Sequence, residues 1–128
     1  MIRIRTAALS ALLLAALPAT APAQGLQCPP GSSNDACDQW QFEQADRALK
    51  ALVEDKLLQL DRRSAIQART AQAKSLLEEA QRQWERFRDA ECEARAAANM
   101  ISARTRQGLT AACLLALTRK RIEDIKTY

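Results

Sequence analysis

The chain has 128 residues, with 19 basic and 15 acidic side chains, four cysteines, three glycines and no histidine. The missing histidine excludes the commonest general base and the commonest metal ligand, and the glycines form no G-x-G phosphate loop. Because basic and acidic residues are interleaved throughout, the composition does not predict a nucleic-acid-binding face. No bound cofactor is predicted either.

The first 23 residues have the pattern of a secretory signal peptide. Arg3 and Arg5 form its charged start, residues 7–17 its apolar stretch, and Ala21-Pro22-Ala23 an A-x-A cleavage site. The apolar stretch is shorter than the roughly 20 residues that span a bilayer, and the large glutamine before Cys28 does not fit a lipoprotein signal. We therefore predict a periplasmic or secreted protein of 105 residues and net charge +2, without stable membrane insertion.

Residues 24–33 contain two prolines and two glycines, which predict an irregular arm tethered by Cys28. Residues 34–128 contain no proline, one glycine and many strong helix formers, which predict one all-α domain. Helix 1 is expected to begin at the candidate N-caps Ser33-Asn34-Asp35 and to end near Arg62. Its apolar stripe consists of Phe42, Leu49, Val53, Leu57 and Leu60.

The S-x-x-Q spacing of Ser64–Gln67 predicts a capping box at the start of helix 2, although a shifted turn or a continuous helix stays open. Helix 2 should run to about Ala98, and helix 3 from about Gly108 to Ile125. The apolar face of helix 2 is predicted to comprise Leu76, Leu77, Ala80, Trp84, Phe87, Ala94 and Ala98. The inward residues of helix 3 are predicted to be Leu114, Leu117, Ile122 and Ile125. These elements form a three-helix antiparallel bundle, in which the short third helix covers one half of a long hairpin.

Export predicts that the cysteines form two disulfides. In an antiparallel hairpin with its turn near Ala103, Cys92 and Cys113 lie at the same level, which favours their pairing and leaves Cys28 with Cys37. A swapped pairing stays open, because all four sulfurs cluster at one end. A four-cysteine zinc site is the alternative, but gaps of 8 and 20 residues differ from the usual C-x(2–4)-C spacing, so no metal is predicted.

Several charged residues fall on the predicted apolar faces. Asp46 and Arg121 are expected at the same level, so we predict that Arg121 pairs with Asp46, packs its stem on Trp84 and fixes the helix register. A shallow pocket in which Arg121 binds an anion is the alternative. The predicted structural polar network comprises Asp46, Arg88, Glu91 and Arg121. The aromatic residues predicted to lie in the core near the cysteines are Trp40, Phe42, Trp84 and Phe87.

Two sequence blocks resemble a known family. Trp84–Cys92 is similar to the W-x-x-[YF]-R-D-A-E-C segment of the LprI-type lysozyme-inhibitor family, which comprises small secreted or lipid-anchored bacterial proteins. Ala112–Ile122 resembles the A-C-L-x-x-L-T-x-x-R segment of that family, and Cys37 with Asp46–Leu49 resembles its C…A-D-x-x-L block. The resemblance covers about Cys28–Tyr128, and most of the matched residues are ones that we expect to be structural.

The resemblance implies a protein that binds and inhibits lysozyme, and no enzymatic activity is predicted. Since host lysozymes are basic, an inhibitor should present an acidic patch. The candidates share an outward stripe of helix 2, namely Glu78, Glu85, Asp89 and Glu93. The chain departs from the D-x-x-L-N-x-x-Y pattern of the family at its last two positions, which are Lys50 and Val53.

Two other functions compete with lysozyme inhibition. The first is an envelope module that binds another protein or a second copy of itself through the thin end of the hairpin, around Leu57, Leu60 and Ile66. The second is a glycan hydrolase with a pair of carboxylates, either Glu78 with Glu79 or Glu91 with Glu93. A helical bundle of this size offers little cleft, which disfavours the hydrolase.

Overall fold

The computed structural model describes residues 27–64, 69–99 and 103–128. Its helices are α1 (Asn34–Ser64), α2 (Arg69–Ala98) and α3 (Arg106–Lys126), and the described residues contain no strand. The all-α prediction is confirmed. The predicted signal peptide and Ile66 lie outside the described residues.

The helices form an up-down-up bundle. Thr105 before α3 donates to Asp35 near the start of α1 at 2.6 Å, and Lys56 Nζ donates to the Lys126 carbonyl oxygen at the end of α3 at 3.4 Å. These contacts make α1 and α3 parallel, with α2 antiparallel to both. Because α3 ends beside Lys56, residues 57–64 of α1 extend beyond it.

Ser33 caps α1, as one of the predicted candidates. Its hydroxyl accepts from the Ala36 N–H at 3.2 Å, and its carbonyl accepts from the Cys37 N–H at 2.8 Å. At its other end α1 runs to Ser64, two residues beyond the predicted end near Arg62, and the other three residues of the predicted capping box lie outside the described residues. The residues before Ser64 are mostly strong helix formers and include neither proline nor glycine, so nothing stops the helix earlier.

Thr105 caps α3, which therefore begins two residues before the predicted start at Gly108. The Thr105 hydroxyl accepts from the Gly108 N–H at 2.9 Å, which satisfies one of the otherwise unpaired donors of the first turn. The pattern analysis missed this cap because Thr105 lies in a polar connection with no apolar residue to mark the first turn.

Both predicted disulfides are confirmed. Cys28 is bonded to Cys37 and Cys92 to Cys113, with Cα–Cα separations of 5.3 and 5.5 Å. All four lie where α1 and α3 begin and α2 ends, which we call the cysteine end. The opposite end, formed by the last turns of α1 and the first turns of α2, is the hairpin end.

The apolar core lies between these two ends. Leu49, Val53, Leu77 and Ile125 are buried together. Partly buried residues packed against them are Leu52, Leu57, Leu60, Trp84 and Ile122. The predicted stripe of α1 is thus confirmed at Leu49 and Val53.

The predicted apolar face of α2 is largely wrong. Leu76 and Phe87 are 60% and 56% exposed, and the alanines assigned to that face are also exposed. The buried stripe of α2 consists of Leu77, Gln81, Arg88, Cys92 and Ala96. Two of its members are polar and are accommodated by hydrogen-bond partners on the other helices, so apolar pattern alone selects the wrong flank.

The predicted inward face of α3 is displaced in the same way. Leu114 and Leu117 are only half-buried, whereas Ile125 is fully buried as expected. The remaining buried residues of α3 are Gly108, Ala111, Leu115 and Thr118. Small side chains at this face allow α3 to lie close to α1, which is the neighbour that it contacts most extensively.

Candidate functional site

Arg88 of α2 links the three helices through one buried guanidinium. Its Nη1 donates to Asp46 Oδ1 of α1 at 2.8 Å and to Thr118 Oγ1 of α3 at 3.2 Å. Its Nε donates to Asp89 Oδ1 at 2.9 Å. The same guanidinium lies about 5 Å from the ring centroids of two aromatic residues, Phe42 and Trp84. These contacts satisfy a charge whose residue is only 6% exposed.

Asp46 completes this network and also binds Lys50 Nζ at 2.7 Å. Burial raises the pKa of Asp46, but hydrogen bonds from Lys50 and Arg88 outweigh burial and hold the pKa below its usual value. The predicted pairing of Asp46 with Arg121 is therefore wrong. Arg88 lies on the buried stripe of α2, where its guanidinium binds Asp46 in place of Arg121.

Arg121 instead binds a different buried polar residue. Its Nε donates to Gln81 Oε1 at 3.2 Å, and Gln81 Nε2 donates to Glu85 Oε1 at 3.1 Å. The Arg121 guanidinium lies 5.6 Å from the Trp84 ring centroid, so the predicted packing on Trp84 is present. Its Nη2 is buried and finds no hydrogen-bond partner among the described residues.

Glu91 lies outside the polar network to which it was assigned. It accepts from Arg95 Nε at 2.7 Å, and its side chain is 32% exposed. Phe87 is also displaced from its predicted place in the core. Both corrections have one cause, since the buried stripe of α2 passes through Arg88 and Cys92 and leaves these two residues beside it.

A second polar cluster joins α1 to α3 at the cysteine end and was missed by the sequence analysis. Asp35 accepts from Arg104 Nε at 2.7 Å and from the hydroxyl and N–H of Thr105 at 2.6 and 3.2 Å. Arg104 Nη2 also donates to Asp38 at 2.6 Å. The hydrogen bonds from Thr105 and Arg104 lower the pKa of Asp35. A Cβ atom at position 108 would overlap the Asp35 carboxylate, which explains the glycine there.

A cleft of about 520 Å³ lies next to this Asp35 cluster. Trp40 and Glu43 line it together with the start of α3, so Trp40 borders a cleft and is not a core residue. Glu43 accepts from the Gln39 side chain at 3.0 Å.

A pocket of about 250 Å³ opens between α1 and α2, the two helices that contact each other least. We call it the α1–α2 pocket. Its lining comprises Lys50, Val53, Glu54, Leu57, Gln81 and Glu85. Val53 and Leu57 supply apolar surface, while glutamates from the two facing helices supply negative charge. Lys50 forms an ion pair with Asp46. The pocket therefore combines an apolar surface with a net negative charge from its two glutamates.

The predicted acidic stripe divides into two pairs. Asp89 binds Arg88, and Glu93 binds Arg106 Nη2 at 3.3 Å. Glu78 and Glu85 are half-buried and form no ion pair among the described residues. Glu54, on the facing helix, was not predicted, because no pattern in α1 indicates that it shares a pocket with Glu85.

A model of the LprI lysozyme-inhibitor family matches residues 28–125. The chain belongs to the LprI family. No curated protein and no solved structure matches it. Family membership indicates a lysozyme-inhibitor-like function with a protein partner. It also indicates an extracellular or periplasmic location, and the two disulfides fit such an oxidising compartment.

The segments that resemble the LprI pattern build the scaffold of this chain. Trp84, Arg88 and Cys92 belong to the first segment, and Cys113 and Thr118 to the second. They form the disulfide and the buried polar contacts described above. The two departures from the pattern, Lys50 and Val53, both line the α1–α2 pocket. The shared segments therefore contribute to the fold, whereas these two positions contribute to the pocket.

The carboxylates considered for catalysis do not converge on a cleft. Glu79 binds Arg82 at 2.6 Å, while Glu91 and Glu93 bind Arg95 and Arg106. Among the residues that the structure describes, no group of acidic, cysteine or histidine side chains is arranged to hold a metal ion. Within the same ranges, no helix has an apolar stretch that could cross a bilayer.

Proposed function

We propose that this LprI-family protein is an exported inhibitor of lysozyme that acts by protein–protein contact, with the α1–α2 face as its contact surface. The observation that carries the proposal is the family match over residues 28–125, which spans all three helices and both disulfides. We choose the α1–α2 face as the contact surface for a different reason, which is its charge.

The α1–α2 face is the surface around the α1–α2 pocket, whose lining includes two glutamates and one lysine although the whole chain carries a formal net charge of +4. Glu54, Glu78 and Glu85 lie on its two helices and have no ion-pair partner among the described residues. Two cations of these helices, Lys50 and Arg88, are bound to Asp46. A negative face supports association with a basic enzyme, because complementary potentials accelerate encounter and disfavour partners of like charge.

The test is a calorimetric titration of the oxidised protein with a basic C-type lysozyme, with cell-wall lysis measured in parallel. We expect saturable binding that weakens as salt is added and a loss of lysis at equimolar protein. Glu78→Lys with Glu85→Lys should abolish binding, whereas Glu123→Lys on α3 should leave it almost unchanged. Absence of binding, or binding that leaves lysis intact, would contradict the proposal.

Self-association through the hairpin end is a second candidate, favoured by two exposed leucines. Leu58 is 50% exposed and Leu76 is 60% exposed, and they lie on the adjacent helices α1 and α2 in the half of the bundle nearer the hairpin end. A melting temperature that rises with protein concentration and falls in a Leu58→Gln, Leu76→Gln variant would support it. A concentration-independent melting temperature with a monomeric sedimentation profile would oppose it.

A further inference from the structure

The α1–α2 pocket has the composition of a receptor for one long cationic side chain. Val53 is 8% exposed and Leu57 lies partly buried against the core, so they provide an apolar surface. Glu54 and Glu85 flank that surface from facing helices. Arginine and lysine can bury an aliphatic stem on apolar atoms while their charged group reaches polar ones.

Glu85 is held in place by a buried hydrogen-bond chain. Gln81 is 7% exposed, and its Oε1 accepts from Arg121 Nε at 3.2 Å. With its oxygen engaged by an obligate donor, the Gln81 amide must present its NH₂ to Glu85, which it does at 3.1 Å. A carboxylate accepts several hydrogen bonds, so Glu85 retains capacity for a second donor. The chain orders Glu85 before any partner arrives, which reduces the entropy lost on binding.

The cation already present in the pocket forms no ion pair with these glutamates among the described residues, although its charge and that of Glu85 attract each other. Lys50 lines the pocket, but its ammonium lies 2.7 Å from Asp46 and its side chain is 67% exposed. The guanidinium of arginine has five donors in a planar fork and can serve two carboxylates at once, which the point charge of an ammonium does less well.

We propose that the α1–α2 pocket binds an arginine side chain of the protein partner, with its stem on Val53 and Leu57 and its guanidinium between Glu54 and Glu85. This inference deepens the proposed function and depends on it for the identity of the partner. The pocket itself can be tested without lysozyme, so the two proposals can fail separately.

The experiment follows the methyl NMR signals of Val53 and Leu57 in the oxidised protein while N-acetyl-arginine amide is added. N-acetyl-citrulline amide, which has the same shape and no charge, is the matched ligand control. We expect saturable shifts at these methyls with the arginine probe only, and their loss in a Glu54→Gln, Glu85→Gln variant. Glu123→Gln, an exposed acid of α3, should behave as the wild type.

Equal shifts with citrulline, or no arginine-dependent shift at these methyls, would overturn the inference. A second measurement uses lysozyme, for which the Glu54→Gln, Glu85→Gln variant should bind about tenfold more weakly than Glu123→Gln. Unchanged lysozyme affinity in that variant would also overturn the inference while leaving inhibition intact. Arginine-specific shifts without any lysozyme binding would support the pocket and contradict lysozyme as the partner.

Discussion

The cysteine end and the hairpin end of this bundle are stabilised by different means. At the cysteine end, two disulfides and the hydrogen bonds of Asp35 with Arg104 and Thr105 join all the elements. At the hairpin end, among the residues that the structure describes, Leu57 and Leu60 pack against the core and an exposed ion pair joins Lys74 to Asp61 at 3.0 Å. An exposed ion pair contributes at most about 1 kcal/mol, so the hairpin end should open locally before the cysteine end does.

The difference follows from helix length. The third helix has 21 residues against 31 and 30 in the other two, and it ends beside Lys56. The α1–α2 pocket, which includes Val53 and Leu57, lies at the level where support from α3 stops. The proposed contact surface thus lies between a region fixed by disulfides and a region that we expect to open more readily, and the following predictions test that division.

Removing the disulfide that joins α2 to α3 should have the largest effect. Cys92→Ser with Cys113→Ser eliminates a loop closure of 21 residues and should lower the free energy of unfolding by about 3 kcal/mol. Denaturant unfolding of the oxidised proteins measures it. The matched Cys28→Ser, Cys37→Ser variant should lose less, because that bond ties only the arm to the start of α1. A larger loss of unfolding free energy in the Cys28→Ser, Cys37→Ser variant would contradict the expected order of the two disulfides.

The buried network around Arg88 should come next. Asp46→Ala removes the 2.8 Å partner of a guanidinium whose side chain is 8% exposed. Because Arg88 keeps Thr118 and Asp89, we expect a loss of about 2–3 kcal/mol in the free energy of unfolding rather than the full cost of an unpaired buried charge. Asp89→Ala removes the partner that is 62% exposed and should cost under about 1 kcal/mol. Equal losses of unfolding free energy in Asp46→Ala and Asp89→Ala would mean that the buried ion pair of Asp46 stabilises the fold no more than the exposed one of Asp89.

The pH dependence of stability checks the same residue. The pKa of Asp46 is lower in the folded state than the value of about 3.9 for an unfolded aspartate. Its ionised form therefore stabilises the fold above the unfolded pKa, and this contribution is lost as the pH falls through the folded pKa. Asp46→Asn should flatten the decline in the free energy of unfolding below about pH 4. A variant curve parallel to that of the wild type would refute this.

Gly108→Ala should have a smaller effect, which is confined to the cysteine end. The added Cβ would displace the Asp35 carboxylate from Arg104 and Thr105, and we expect the melting temperature to fall by less than in Asp46→Ala. In an Asp35→Ala background the same substitution should cost little, because there is no carboxylate to displace. Additive effects of the two substitutions would show that Gly108 acts through something other than Asp35.

Hydrogen exchange in the native protein gives the most direct comparison of the ends. Amides of residues 57–60 and 72–75 should exchange faster than those of residues 45–49 and 88–92, which lie beside α3 and the Arg88 network. Uniform protection along α1 and α2 would mean that the bundle opens as one unit and would remove the distinction between its ends.

Much of the fold was predictable from the chain because it depends on local or nearly local features. The helix formers of residues 34–128 and the cap at Ser33 lie next to the structure that they specify. Hairpin geometry favoured the Cys92–Cys113 disulfide, since these residues are almost equally distant from the turn, and left Cys28 with Cys37, while a swapped pairing stayed open until the structure decided it. A family resemblance carried by Trp84–Cys92 was also readable, since its residues are contiguous.

The sequence by itself thus determined a disulfide-bonded helical protein of the LprI family, whereas the tertiary structure decided which side chains meet. Gln81 and Arg88 occupy the buried stripe of α2, although Leu76 and Phe87 are more hydrophobic and remain exposed. Burying a polar group costs free energy unless a partner satisfies it, and the partners here are on other helices. Since no pattern within α2 records Asp46 or Arg121, both the buried face of α2 and the α1–α2 pocket became visible only when the three helices were assembled.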